Sequence, residues 1–202
     1  CLSFFSSIAF SETPEEKALR IVIEGDNYDS NFGDNIFSSR MTLRNKHGEE
    51  TVRYFRGKTL EVESDGDKTL FIFDSPRDVK GTASLTFAHK NDPDDQWLYL
   101  PALKRVKRIT SDNRSGSFVG SEFAYEDIGS QELEKYKDRL VLRDDSCPGS
   151  KERKCHVIVR IPVEKSSGYS RQIVWLDYEI DHRVWKIEYY DRKNALLKTL
   201  LF

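Results

Sequence analysis

The chemically capable residues of this 202-residue chain are three cysteines, four histidines and a dense supply of carboxylates and cations. A serine hydrolase would set its nucleophile on a sharp G-x-S-x-G elbow, and none occurs. Nucleotide chemistry would call for a phosphate-cradling G-x-x-x-x-G-K-[ST] loop or a G-x-G-x-x-G turn after a strand, and neither is present. His47, His89, His156 and His182 are far apart, each in or beside a turn or strand end, and read as surface histidines. The run Asn91-Asp92-Pro93-Asp94-Asp95 lacks the spacing of an EF-hand loop and reads as a solvated acidic turn. Carboxylates abound, but no pair is singled out for glycoside chemistry. The chain makes no positive case for an enzyme and calls for no cofactor or metal.

Cys147 and Cys155 flank Pro148-Gly149 and the charged run from Lys151 to Lys154. In an exported protein that spacing reads as a disulfide closing a short surface loop, worth about 2–3 kcal/mol through chain entropy. The alternative is two free thiols in a cytosolic protein. A zinc site at His156 would need a second ligand pair, and none is spaced for it.

Hydrophobic residues make up 38% of the chain and charged residues 33%, which fits a soluble globular protein and excludes a long disordered one. The length suits one domain with a sizeable core, expected over 12–202. The formal charge is −2, so nucleic acid is a poor default partner. No apolar run is long enough for a spanning helix. The uncharged stretch CLSFFSSIAFS at 1–11 reads as the tail of a signal peptide cleaved near Ser11, which places the protein outside the cytoplasm. A buried N-terminal arm and a lipidated Cys1 are the alternatives.

The elements that would position any site follow from periodicity. Thr13-Pro14-Glu15-Glu16 is a helix start with a capping box. Ala18, Leu19, Val22 and Ile23, broadened by Ile21, predict a well-covered helix over 14–27. Phe37, Met41 and Leu43 share one parity of a half-buried strand, which returns through the Asn45–Gly48 hairpin into a strand over 50–63. Gly57 inside that strand predicts a bulge or bend. Leu70-Phe71-Ile72-Phe73 is apolar on both parities and predicts a strand covered on both faces. Another strand is expected over 83–90, a short helix over 130–136, and strands near 139–145, 154–164, 171–180, 183–191 and 195–202. Asp181-His182 is expected to be a two-residue turn. About ten antiparallel strands in sequence order make a sheet that must curl.

The most informative run is QWLYLPALKRVKRITSDNRSGSFVGSEFAYEDI, residues 96–128. A dense apolar strand meets Pro101. Lys104, Arg105, Lys107 and Arg108 then alternate with Leu103, Val106 and Ile109 ahead of a Gly/Ser loop carrying Phe118 and Phe123. The four basic residues read either as the solvated face of a strand or as a docking patch for anionic lipid heads or an acidic partner, about 1 kcal/mol each at a membrane.

WLYLPALKRVKRI followed by GSFVGSEFAYEDI resembles the outer-membrane lipoprotein-sorting proteins of the LolA/LolB superfamily. DNYDSNFGDNIFSSRMTLRNKHGEE resembles their entry into the first hairpin, and FDSPRDVKGTASLTF their middle strands. The resemblance implies an α+β fold: an antiparallel, strongly curved sheet forming an unclosed half β-barrel, with helices as a lid over an apolar cavity. It further implies a periplasmic carrier that shields lipid or lipoprotein acyl chains between the inner and outer membranes, with an inner-membrane transporter of RND/MMPL or ABC type as donor and an outer-membrane acceptor. The alternative is a lipid-sensing regulatory module of RseB type without transport. On the carrier reading the lining is expected from Met41, Leu43, Phe71, Phe73, Leu85, Phe87, Trp97, Tyr99 and Phe118. The arginine that latches the lid in LolA has no assigned counterpart among Arg40, Arg44, Arg53 and Arg56.

Overall fold

Thr13 opens the helix α1 (Pro14–Asp29) as the sequence predicts: its hydroxyl accepts from the Glu16 amide while the Glu16 carboxylate accepts from the Thr13 amide. The computed structural model describes residues 12–179 and 182–202. The expected leader at 1–11, with its cleavage point and Cys1, and the Asp181 half of the expected turn lie outside the described residues. The stripe that α1 buries is narrow. Ala18 and Ile21 are fully covered and Val22 partly, whereas Leu19 and Ile23 are 46% and 40% exposed, so the helix is less well covered than its composition suggested.

Eleven strands follow among the described residues. β1 (Asp34–Arg44), β2 (Glu50–Leu60), β3 (Lys68–Ser75), β4 (Ala83–Phe87), β5 (Asp95–Leu100) and β6 (Arg105–Ile109) form one six-stranded sheet in sequence order. β7 (Tyr136–Ser146), β8 (Lys154–Pro162), β9 (Tyr169–Asp177), β10 (Val184–Asp191) and β11 (Leu196–Leu201) form a second, five-stranded sheet. Every pairing is antiparallel. The hydrogen-bonded order breaks between β6 and β7, and neither sheet closes on itself. The result is an α+β, unclosed half-barrel. The helix expected at 130–136 is a single 3-10 turn, Leu133–Lys135, and α1 is the only α-helix among the described residues.

The two sheets are covered differently. Helix α1 lies on the five-stranded sheet, where Ala18 and Ile21 pack with Ile158, Val174, Leu176 and Ile187. The six-stranded sheet is covered on one face by the β6–β7 connection instead: Phe118 packs with Phe73 and Val79, joined by Phe55, Phe123 and Tyr125. Gly57 makes no bulge, because the β1–β2 register runs unbroken past it. Its missing side chain makes room for the Phe37 ring, whose Cζ would stand 2.2 Å from a Cβ there.

Candidate functional site

Between α1 and the five-stranded sheet lies a cavity of about 640 Å³. Its floor is aliphatic: Ile158 of β8, Val174 and Leu176 of β9, Val184 and Ile187 of β10. The pairings Ile158↔Val174 and Val174↔Ile187 put three of these on one face, since cross-strand partners point the same way. Ile21, Val22 and Gly25 of α1 form the roof, and Phe32, Leu133 and Phe202 stand at the sides. The volume falls within the range of small-molecule sites, about 300–1,000 Å³.

The mouth is acidic. Burial, reinforced by neighbouring carboxylates, raises Asp26, Asp67 and Glu132 above the usual carboxylate range. Glu61 is committed to structure: its two oxygens accept the amides of Asn31 at 2.6 Å and Gly33 at 2.7 Å, fixing the connection that leaves α1. Asp65 holds His89 Nδ1 at 2.6 Å and is drawn down to about 2 by that bond. Lys90 Nζ donates to the Glu63 carbonyl at 3.0 Å. Arg160 Nε donates to Gln172 at 2.9 Å while its guanidinium lies 3.9 Å over the Tyr136 ring.

None of the nine residues expected to line a hollow borders this cavity. They do not share a face either. Phe71 pairs with Ser84, and Ser84 with Leu98, so Phe71, Phe73 and Phe118 lie together under the β6–β7 connection, rings 6.1–6.4 Å apart where Phe118 meets the other two. Leu85, Phe87, Trp97 and Tyr99 have the opposite parity, and Phe87 meets Trp97 edge-on at 5.3 Å on the other face of the sheet. Met41 and Leu43 follow the parity of Phe37, as the sequence indicated, but lie toward the β1–β2 hairpin. Parity within a strand can be read from sequence; the offset between one strand and the next depends on turns and on register shifts such as that at Tyr54/Phe55.

The floor residues went unassigned because β8 to β10 read only as strands. The available signal was the run HVIVRI in β8, the strand richest in β-branched residues, beside QIVWL in β9.

The basic run divides at the edge of the six-stranded sheet. Val106 and Arg108 share one face of β6, Lys107 the other. Arg108 pairs with Asp95. Lys104, Arg105 and Lys107 are exposed and make no ion pair among the described residues. Charge on an edge strand also discourages pairing with another chain.

The disulfide joins Cys147 to Cys155, and both are buried against Val157 and Trp175. Three of the histidines are not simple surface groups, His89 through its Asp65 partner. His156 is buried, 2.9 Å from Asp144 and with its ring 3.8 Å from that of Tyr178. His182 Nε2 lies 2.9 Å from Glu24, linking α1 to the five-stranded sheet. The supposedly solvated acidic turn contributes Asp94, 7% exposed, which pairs with Arg114 at 2.7 Å and with Lys135. Among the described residues there is no cluster fit to hold a metal.

A second and larger groove, about 990 Å³, runs between residues 112–126, the 165–169 turn and the β10–β11 hairpin. Serines, Lys165, Arg192, Lys193 and Lys198 line it. At its floor Tyr169 donates to Asp127 at 2.8 Å and Ser167 to Glu126 at 2.6 Å, and burial raises the Glu126 carboxyl. An apolar guest in this groove would displace water from charges without replacing it.

Comparison with known proteins gives the following. A family described only as an uncharacterized protein matches residues 65–202. Among curated proteins none matches the chain. The chain superposes with TM-score 0.88 on a Vibrio parahaemolyticus domain described as an outer membrane lipoprotein-sorting protein, at 53% identity over 93% of this chain and 77% of that one. A DUF1329 family protein from Desulfovibrio piger gives TM-score 0.86 at 27% identity, covering 94% of this chain and 78% of that one. A LolA superfamily protein from Nitrosomonas europaea gives 0.66 at 19% identity, covering 90% and 75%, a likeness of fold.

Proposed function

Because this chain belongs to the family of the Vibrio parahaemolyticus outer membrane lipoprotein-sorting domain, we propose that it is a periplasmic carrier that holds an acyl chain of a lipid or lipoprotein in the cavity beneath α1. The observation that carries this reading is a cavity of about 640 Å³ with an aliphatic floor, lying between a single helix and the five-stranded sheet. Leaving an acyl chain in water costs about 0.8 kcal/mol per CH2, and a preformed apolar hollow removes most of that cost. Binding of this kind needs no covalent step. It needs a lid that can yield, and α1 meets the sheet through few buried side chains. The donor would be an inner-membrane transporter and the acceptor an outer-membrane component. Lys104, Arg105 and Lys107 would then form a docking edge toward anionic head groups or an acidic partner.

The test places charge in the cavity at two partly buried residues beside the core rather than within it. Val22 and Val184 border the hollow and are only partly buried. The pair Val22→Glu and Val184→Glu should abolish uptake of a fluorescent fatty acyl probe while near-UV circular dichroism stays unchanged. Uptake at wild-type affinity by the folded double variant would remove the cavity from the proposal.

A further inference from the structure

The mouth of the cavity carries a charge bias that bears on its guest. Two basic side chains border it and keep their charge, Lys90 bonded to the Glu63 carbonyl and Arg160 to Gln172 and the face of Tyr136. The remaining basic group at the mouth, His182, contacts Glu24 and the Asp177 carbonyl. Against these stand Asp26, Asp29, Glu63, Asp67 and Glu132, none with an ion-pair partner among the described residues. They are close enough to feel one another. Asp26 and Asp67 both raise Glu132, Asp26 and Glu61 raise Asp67, and Asp29 and Glu134 raise Asp26; Lys90 alone works the other way on all three. Local ties account for part of the set, since Asp67 accepts the Val62 amide at 3.2 Å and Ser130 bonds Glu132. They neutralise none of the charge.

Resting on the proposed carriage of an acyl chain in this cavity, we infer that the guest's head group is cationic, an ammonium group in particular, and that anionic head groups are turned away. An extended chain lying on Ile158, Val174 and Ile187 has its polar end where the chain meets water, which is between Asp26, Asp67 and Glu132. A cation placed there relieves the mutual repulsion of carboxylates partly withdrawn from water. A carboxylate or sulfate adds to it, and walls of low polarity strengthen both effects. The bias differs from that of the second groove, where Lys165, Arg192, Lys193 and Lys198 gather.

The test uses three amphiphiles with the same twelve-carbon chain, each below its critical micelle concentration: dodecylamine, dodecyl maltoside and laurate. Each displaces the neutral probe N-phenyl-1-naphthylamine from the intact protein at pH 7 and low salt. Dodecylamine is expected to bind at least roughly tenfold more tightly than laurate, with the maltoside between, and the ratio should shrink as salt screens the mouth. The triple variant Asp26→Asn, Asp67→Asn, Glu132→Gln keeps the hydrogen-bond acceptors, and in it the dodecylamine-to-laurate ratio should fall toward one. Equal affinities in the wild type, or tighter laurate, would overturn the charge inference and leave the cavity reading standing. Displacement by none of the three would overturn both.

Discussion

Arg53 of β2 donates Nη1 to the main-chain carbonyl of Val119, 66 residues further along the chain. Val119 sits at φ +48°, a left-handed backbone that a β-branched residue rarely adopts. Beside it Phe118 packs onto Phe73. A strained residue persists only where its surroundings hold it, and the Arg53 bridge is part of that hold.

Replacing Arg53 with Met should therefore release the connection locally. A hydrogen bond from a charged donor is worth about 1.5–3 kcal/mol. Part of that is recovered here, because Arg53 Nε is buried without a partner among the described residues. The expected loss is about 1–2 kcal/mol by urea unfolding, with faster amide exchange confined to residues near 116–124. Unchanged exchange there would show that the aromatic packing holds the loop alone.

Asp94 is the acceptor shared by Arg114 and Lys135, and the Asp94 and Arg114 side chains are 7% and 6% exposed. Arg114 also pairs with Glu164, so one buried cluster ties the β6–β7 connection to the β4–β5 and β8–β9 turns. Asp94→Ala leaves two cations short of a partner, one of them fully enclosed. About 3–5 kcal/mol should be lost, as for breaking other buried pairs. A loss below 1 kcal/mol would mean that water reaches the cluster.

His89 and His156 should respond to pH with opposite signs. The Asp65 hydrogen bond raises His89 above its ordinary 6.5, so its contribution to stability is full below 6.5 and lost as pH rises through the folded value. Burial lowers His156, against the pull of Asp144, so its contribution is present above 6.5 and lost as pH falls through the folded value. His156→Gln should flatten the decline in urea midpoint on the acid side, and His89→Gln the change above 6.5. Ring proton titrations by NMR should bracket 6.5, and two coincident titrations would refute the assignment.

These relationships differ in how far the sequence foretells them. The start of α1 was legible because Thr13, Pro14 and Glu16 act within one turn. The Cys147–Cys155 link and the alternation of β1 were legible for the same reason: each depends on near neighbours. Gly57 misled because a glycine in a strand also serves a neighbouring ring, and only the pairing with Phe37 reveals it. Asp94 misled because its partners lie 20 and 41 residues away. The expected lining lies on the six-stranded sheet, whereas the cavity beneath α1 is floored by the five-stranded sheet. Phe71 and Phe73 meet Phe118 only through long-range packing, while the cavity floor comes from Ile158, Val174 and Ile187, whose alternation marks a strand without saying what faces it.

The most direct measurement is photo-crosslinking with a fatty acyl chain that carries a diazirine near its methyl end, followed by peptide mapping. Adducts on Ile21, Val22, Val184 or Phe202 are the expected result, because these residues border the cavity beneath α1. Adducts gathered instead on Phe71 and Phe118, on Phe87 and Trp97, or in the groove around Lys198 would contradict the account.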